Sequence, residues 1–507
     1  MSTEYPIDPE KGDATVDSYV PGTQRTNEVL PTEPRSRTRK YLHNFESALA
    51  KYNLEARGIE RVLPEESQPL TWRGYLQAYV LWVSINLAAV NITLGMLAPT
   101  IFRLGFKDAA LCSVFGSFMG SLPVAYIATW GPISGNRTMI FSRYIMGWWP
   151  SKLIVLLNLI VLLGYSLIDC VVAGQMLSAV SPNGSMSVVV GIIIVAVITW
   201  GVTTFGIQIF HYYERYAFLP QLIVISILYG ISSKNYDLTT ASTGEPRTVT
   251  GNRLSFFSLC LSAAITYAGV SADYFVYYPP TTSKLSIFTL SLLGLSTSFT
   301  FAFLVGIGLA SGISTTPSYA TAYNTSQGAL IVAGFSPLDN FGRFCSVVIA
   351  LGLIANLIPP TYSSGLDFQL FATWAVKVPR FIWNTIGVII YTVCALAGRN
   401  SLSEIFTNFL ALMGYWLAIW IAITLEEHLI FRWYGGRGWN WDVWANREKL
   451  PKGIAALIAF LVGWVGAILC MDQVWYVGPI ARLVGDYGAD LGGAAVSANE
   501  MVGIKVL

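Results

Sequence analysis

Charge is scarce in this chain. Asp, Glu, Lys and Arg make up 12% of its residues, about half the share usual in soluble domains. The net charge of +2 provides no basic surface, so nucleic acid is not an expected partner. Histidine is rarer still. His43, His211 and His428 are scattered, with no motif around any of them, which argues against a histidine metal centre and disfavours an enzyme. The six cysteines (Cys112, Cys170, Cys260, Cys345, Cys394 and Cys470) form no CxxC pair and no Cys/His spacing. They read as small apolar packing residues, neither disulfides nor metal ligands. The Gly-Lys-Ser/Thr of a P-loop is missing, so an ATP-driven engine is not expected. Residues 1–70 have no apolar core, and no signal peptide is expected.

What the chain has is apolar residues, 54% of the total, gathered in long runs. Val80–Pro99, Ala109–Trp130, Leu153–Val180, Val188–Gly206 and Phe218–Ser233 form a first set. Leu254–Tyr278, Leu285–Ser311, Phe344–Trp374, Phe381–Gly398 and Ile405–Leu425 form a second, and Gly453–Cys470 follows. Crossing about 30 Å of hydrocarbon takes roughly 20 apolar residues, and only helices and closed barrels satisfy the backbone there. Barrel strands would be short and alternating, so the runs predict an all-α polytopic membrane protein with about eleven transmembrane helices. Three regions follow: a largely disordered tail over 1–72, a core over 73–425 in two five-helix sets (about 73–233 and 254–425), and 426–507 with a basic loop and one further helix. Within the tail, Tyr41–Arg57 reads as an amphipathic surface segment.

Basic residues near helix ends favour the cytoplasm. Arg35, Arg37, Arg39, Lys40, Arg57, Arg61 and Arg73 put the N-terminus inside. Inside loops then fall at 130–152, at 207–217 with Arg215, near Lys284, at Lys377/Arg380 and at 430–452, the most basic. Arg103, Lys107, Lys234 and Arg253 run against the rule. The sequon Asn324-Thr-Ser lies in a long outer loop and is a candidate glycosylation site.

Two spans carry groups that are costly in lipid. The first holds Ser84, Asn86, Asn91, Gly95 and Pro99; the sixth holds Thr266-Tyr-Ala-Gly-Val-Ser-Ala-Asp273-Tyr, closed by Pro279-Pro280. They begin the two sets of five, and interrupted helices at matching positions of two halves point to a transporter's midplane site. The competing reading, small residues permitting close helix packing, is preferred for Gly116-Ser-Phe-Met-Gly120. Asp169 and Asp273 lie deep in spans and are proton-coupling candidates, since such carboxylates are functional candidates by default; structural, hydrogen-bonded aspartates are the alternative. Tyr165, one turn before Asp169, and Tyr267 can offer aromatic faces to either side of a planar ring. In the eighth span, Asn356 precedes Pro359-Pro360. Its amide offers a donor and an acceptor to a heterocycle edge, unless Asn356 and Ser363 satisfy carbonyls freed by a proline kink. Glu426, Glu427 and His428 read as interface residues.

At these residues the chain resembles the fungal purine–cytosine permeases, a branch of the nucleobase–cation symporters, over roughly residues 55–490. The resemblance rests on Gly131-Pro-Ile-Ser-Gly-Asn-Arg-Thr-Met-Ile-Phe-Ser-Arg-Tyr144 with Gly147-Trp148, on Ala272-Asp273-Tyr274 with Tyr277, on Ile354-Ala-Asn356 running to Tyr362-Ser363, and on Trp475-Tyr-Val-Gly-Pro-Ile-Ala481. It implies a LeuT-like core of two inverted five-helix repeats, two extra helices, and proton-coupled uptake of cytosine, adenine, guanine or hypoxanthine at the plasma membrane. By the same resemblance the substrate-binding positions are Ser84, Asn158 or Tyr165, Tyr267, Asn356 and Pro359. The departures are Tyr165 and Tyr267 for the family's tryptophans, Asp169 for an asparagine, and Leu357 and Pro360 for two asparagines of the eighth-span motif. The family's pyridoxine (vitamin B6) carriers also lack that motif, so a pyridoxine or other planar-heterocycle symporter is the alternative. The family's twelfth helix is expected to be lost or truncated, because Ala489–Leu507 carries Asp490 and Glu500 and is too short and polar to span.

The expectation is therefore a secondary active symporter for a small planar heterocycle, with no cofactor beyond the coupling proton and with the lipid bilayer as its other partner. Ser84 and Asn356 would bond the ring edge, Tyr165 and Tyr267 would stack on it, and Asp169 or Asp273 would carry the proton. A channel would want a continuous polar pore lining, and a non-transporting receptor would show no net accumulation.

Overall fold

Each of the eleven apolar runs carries helix in the structure, a computed structural model that describes residues 58–484 apart from 68–69, 182–184, 206–217, 437 and 474. The amphipathic segment over 41–57, His43, His211, Arg215 and the polar C-terminal stretch lie outside the described residues. The first run is two helices, α1 (Trp72–Asn86) and α2 (Ala89–Thr100), bent 58° to each other. Then come α3 (Phe106–Ala128), the short α4 (Trp130–Ser134) and α5 (Thr138–Met146), α6 (Pro150–Val180), α7 (Val188–Phe205) and α8 (Phe218–Ser232). The second set opens with α9 (Pro246–Ile265) and two 3-10 turns, Thr266–Gly269 and Ser271–Phe275. It continues with α10 (Lys284–Ser311), two short helices α11 (Pro317–Thr325) and α12 (Gln327–Ala333), α13 (Asp339–Phe371), α14 (Arg380–Gly398) and α15 (Leu402–Glu426). Helix α16 (Ile454–Cys470) and a two-residue hairpin, β1 (Asp472–Gln473) with β2 (Tyr476–Val477), follow.

By length and composition six of these helices can cross a membrane alone, and the bent α1/α2 pair makes a seventh span, among the described residues. Helices α7 and α16 are apolar but shorter. Large apolar side chains face outward along the spans: Phe115 is 58% exposed and Val393 59%. On a soluble protein such a belt would be an interaction surface; around helices of this length it is the face that lipid covers.

The helices pack as two groups. Helix α10 lies along α1, α2 and α3, and α9 lies along α3 and α15. Gly116 and Gly120 set the α3–α9 spacing, because a Cβ on Gly120 would sit 2.4 Å from Leu261 O. The other group is α6, α7, α13 and α14, with α6 against α13 the most extensive helix pairing in the molecule. The site described below lies on the seam between the two groups.

Both breaks fall where the polar residues cluster. Between α1 and α2, Leu87 (φ −80°, ψ 65°) and Ala88 (φ −131°, ψ 155°) leave the helical region. Side chains satisfy nearby carbonyls: Asn91 Nδ2 donates to Asn86 O at 2.7 Å, and Asn86 Nδ2 to Trp82 O at 3.0 Å. The sixth span loses its α-helix at Ile265 and turns again at Val270 (φ −131°, ψ −2°). Helix α13 is different. It runs through Pro359 and Pro360 to Phe371, and Thr361 Oγ1 bonds Leu357 O at 2.7 Å. The Asn356 amide nitrogen goes to Asp169 in the site.

One end of the molecule is tied together around α5, all nine of whose residues are buried. Val62 N donates to Gly135 O, Arg61 pairs with Asp442, and Tyr144 Oη donates to Trp441 O. The Arg143 guanidinium lies 4.6 Å from the Trp148 ring centroid and donates to Trp444 O. Burial pulls it down to about 10, so it stays cationic at neutral pH and keeps its attraction to the ring faces. Near this end Glu427 pairs with Arg432, and His428 Nδ1 accepts from Trp439 Nε1.

Candidate functional site

Residues 161–169 of α6, 266–274 of the broken sixth span, and 356–360 of α13 line a partly open cavity with about 370 Å³ of atom-free space, open solvent included. Its polar rim is Tyr165, Asp169, Thr266, Tyr267, Tyr274 and Asn356; Val161, Leu162, Val270 and Pro360 complete the wall. The chain brings these together by periodicity. Tyr165 and Asp169 are one turn apart on α6 and share a face, and the 3-10 turns of the sixth span aim Thr266, Tyr267 and Tyr274 at that face.

The polar centre is a carboxyl–amide pair. Asn356 Nδ2 donates to Asp169 Oδ1 at 3.4 Å, a long bond, and Asp169 Oδ2 has no partner among the described residues. Both residues are buried, 1% and 4% exposed. A buried carboxylate in hydrocarbon is costly when unpaired, so an incoming N–H or a proton at Oδ2 would be strongly favoured. The aromatic part is built as firmly. Thr266 Oγ1 donates to Tyr165 Oη at 2.9 Å, and Tyr165 Oη reaches Ala263 O at 3.3 Å. Tyr267 is held edge-on by Trp82 and Phe299, at centroid distances of 5.8 and 6.2 Å.

Of the residues singled out from sequence, the cavity gathers Tyr165, Asp169, Tyr267 and Asn356. Ser84, Asn158, Pro359 and Asp273 are outside its lining. Ser84 is buried in α1, and Pro360 lines the wall where Pro359 was expected. Asn158 sits farther along α6 and donates to Asp367 Oδ2 at 2.7 Å. Asp273 faces α5: its Oδ1 accepts from Thr138 N at 2.6 Å and from Thr138 Oγ1 at 2.9 Å, at the positive end of that helix. Arg137 donates to its carbonyl at 3.1 Å. The arrangement fastens the far half of the sixth span to α5. Asp273→Ala is therefore expected to lower the stability of the purified protein by about 2–3 kcal/mol, the size of charge-assisted bonds; an unchanged melting temperature would contradict the fastening.

The expected sandwich takes a different form. The Tyr165 and Tyr267 centroids are 6.4 Å apart and tilted by 39°, a separation at which two rings contact each other. A third ring between them would need more room, so in this conformation a planar ligand has one tyrosine face at a time. Asp367 was not singled out from sequence, and Thr266 and Tyr274, though quoted within the sixth-span stretch, were given no place in the site. Asp367 was legible on the same grounds as Asp169, a carboxylate inside an apolar run. Thr266 and Tyr274 become visible only once the sixth span is seen to unwind.

Comparison with known proteins comes to the same architecture. The family described as permease for cytosine/purines, uracil, thiamine, allantoin matches residues 64–478. The purine-cytosine permease fcyB of Emericella nidulans is 34% identical, with 97% of this chain and 96% of that protein covered. The vitamin B6 transporter TPN1 of Saccharomyces cerevisiae is 32% identical, with 94% and 92% covered. Among solved structures, Mhp1, a nucleobase-cation-symport-1 family transporter in a closed conformation with bromovinylhydantoin bound, superposes with a TM-score of 0.59. Its 13% identity, over 89% of this chain and 95% of that one, speaks to the shared fold alone.

Proposed function

The chain belongs to the family of permeases for cytosine/purines, uracil, thiamine and allantoin, and from that membership we propose that it is a proton-coupled symporter carrying cytosine and purine bases (adenine, guanine, hypoxanthine) into the cell. It is a multi-pass membrane permease and not an enzyme. The observation that carries the substrate reading is the Asp169–Asn356 pair facing the tyrosines across one cavity. A nucleobase edge sets N–H donors beside acceptors. The Asn356 amide supplies one of each, and the free Asp169 oxygen accepts a further N–H. Tyr165 or Tyr267 supplies the face on which the ring stacks. The proton coupling is proposed on the buried carboxylates: Asp169 is in contact with substrate, while Asp273 holds the sixth span to α5. Rocking the α6/α13 group against the α9/α10 group would open the seam to either side.

A plasma-membrane location with the N-terminus inside is part of the proposal. It is supported by the gathering of Arg61, Arg137, Arg143 and Arg432 around α5, as the positive-inside rule asks. Asn324, exposed on α11, is then outside and carries a glycan. An N-glycosidase mobility shift lost in Asn324→Gln is the expected result; no shift in the wild type would contradict that orientation of α11.

Pyridoxine is the second reading, favoured by the match to the vitamin B6 transporter and by the single amide at the ring edge. Expression in cells without their own nucleobase and pyridoxine carriers separates the two. Saturable, acid-favoured uptake of labelled cytosine, adenine or hypoxanthine supports the nucleobase reading. Pyridoxine uptake alone replaces it, and surface-located protein that moves none of them defeats both.

A further inference from the structure

Helices α6 and α13 are joined by two carboxyl–amide pairs with opposite polarity. Asp169 of α6 meets Asn356 of α13 in the cavity, and Asn158 of α6 meets Asp367 of α13 beyond it. Eleven residues separate the two members on each helix, three turns or roughly 16 Å. The second pair touches nothing in the substrate cavity and has no part in the mechanism above. It is nonetheless fully built. Asn158 is 0% and Asp367 4% exposed, their bond is 2.7 Å, and Asn158 Oδ1 has no partner among the described residues.

Among the described residues no salt bridge to Asp367 is formed, and the nearby cations are engaged elsewhere. From α6, Lys152 Nζ is spent on Leu370 O at 2.8 Å. Arg380 of α14 lies over the Tyr362 ring at 4.2 Å, and Arg143 of α5 lies over Trp148. Lys377 sits in the turn after α13. Asp273 is the ionisable neighbour whose charge acts on Asp367, and it has the same sign. No cluster of three or more His, Cys, Asp or Glu that could hold a metal ion exists among the described residues. A proton suits such a carboxylate, since it removes the charge and adds an O–H donor.

Asn158 also reaches the seam. A Cβ on Gly269, in the unwound sixth span, would sit 2.0 Å from Asn158 Oδ1. The same amide thus touches the carboxyl through nitrogen and the broken span through oxygen. An ionised Asp367 accepts from Nδ2. A protonated Asp367 keeps an acceptor oxygen and gains an O–H donor; the acceptor at hand for that donor is the unpartnered Asn158 Oδ1, reached when the amide turns over and presents its NH₂ to Gly269.

Resting on the proton-coupled reading, we propose that Asp367, held by Asn158, binds the coupling proton outside the substrate cavity, and that Asn158 relays its protonation to the break at Gly269. The step is the addition of one proton to one carboxylate, taken from the side of higher acidity and released to the other. This refines the coupling proposed on Asp169 and Asp273: the transported proton sits on Asp367, Asp273 keeps its fastening role, and the Asp169 carboxyl is left to the substrate.

The test uses the full-length protein, purified and reconstituted, with two readouts. pH-difference infrared spectroscopy looks for a carboxylic C=O band that appears on acidification; uptake measures accumulation of labelled base under an imposed pH gradient. One component of this band is expected in the wild type and in Asp169→Asn, and is missing from the spectrum of Asp367→Asn. Asp367→Asn also loses the roughly tenfold accumulation that one pH unit can drive. A difference spectrum in Asp367→Asn identical to that of the wild type, or accumulation that keeps its pH dependence there, overturns the proposal. If Asp367→Asn does not fold, Asn158→Leu keeps the carboxyl and removes its partner. The pH at which the band appears must then move, and an unmoved band overturns the proposal. Failure of the substrate reading looks different: the wild type shows the Asp367 band but moves no nucleobase, which leaves the proton site supported.

Discussion

Asn356→Ala is expected to cut uptake efficiency about 30- to 150-fold, the equivalent of roughly 2–3 kcal/mol. The amide is the hydrogen-bond partner of Asp169 Oδ1, and it supplies the donor–acceptor pair for a base edge. Its removal leaves a buried carboxyl without a partner and a bound base with unmet groups, and sites that read polar edges discriminate steeply on such losses. The loss is expected in kcat/KM measured from initial uptake rates, with the protein still at the cell surface. Asn356→Gln, which moves the same amide by one methylene, should recover part of it. Near-normal uptake by Asn356→Ala would mean that the ring edge is read elsewhere, with Tyr274 or Thr266 the next residues to test.

The second large effect belongs to Tyr267. Base–aromatic stacking is worth about 1–3 kcal/mol by alanine substitution, so Tyr267→Ala should weaken apparent affinity by about 5- to 150-fold. Trp82 and Phe299 pack edge-on against this ring, so truncation also leaves a void, and some loss of stability accompanies the loss of transport. Tyr267→Phe separates the two contributions, because it keeps ring and packing and removes only the hydroxyl. Transport by Tyr267→Phe should stay near the wild-type level. Equal damage from Phe and Ala would place the action at the hydroxyl and against stacking.

Much of this was readable in the chain because lipid demands long apolar runs, and any polar residue inside one stands out. The cluster Ser84, Asn86 and Asn91 located the first break, and Thr266 to Asp273 the sixth. The break point itself was not legible. Leu87 and Ala88 have no special backbone preference; the bend is held by the Asn86 and Asn91 side chains bonding to carbonyls. The Pro359-Pro360 pair misleads in the other direction, since α13 continues through it. Helix α5 was hidden for a similar reason. Arg137 just before it and Arg143 within it made it read as a basic loop, yet both are buried against neighbours from distant parts of the chain. Asp273 and Asp169 look alike in sequence. Only packing shows that one ends at Thr138 and the other at the cavity. The near contact of Tyr165 with Tyr267 is likewise a property of how two helices cross, which no spacing within either helix encodes.

In the proposed cycle this cavity moves a nucleobase together with a proton. The most direct test is the purified chain in sealed vesicles, with labelled cytosine and adenine outside and an imposed acidic-outside gradient. Saturable accumulation above the outside concentration is expected, abolished by a protonophore and strongly reduced in Asn356→Ala. Uptake that only equilibrates, ignores the gradient and is indifferent to Asn356 would contradict it.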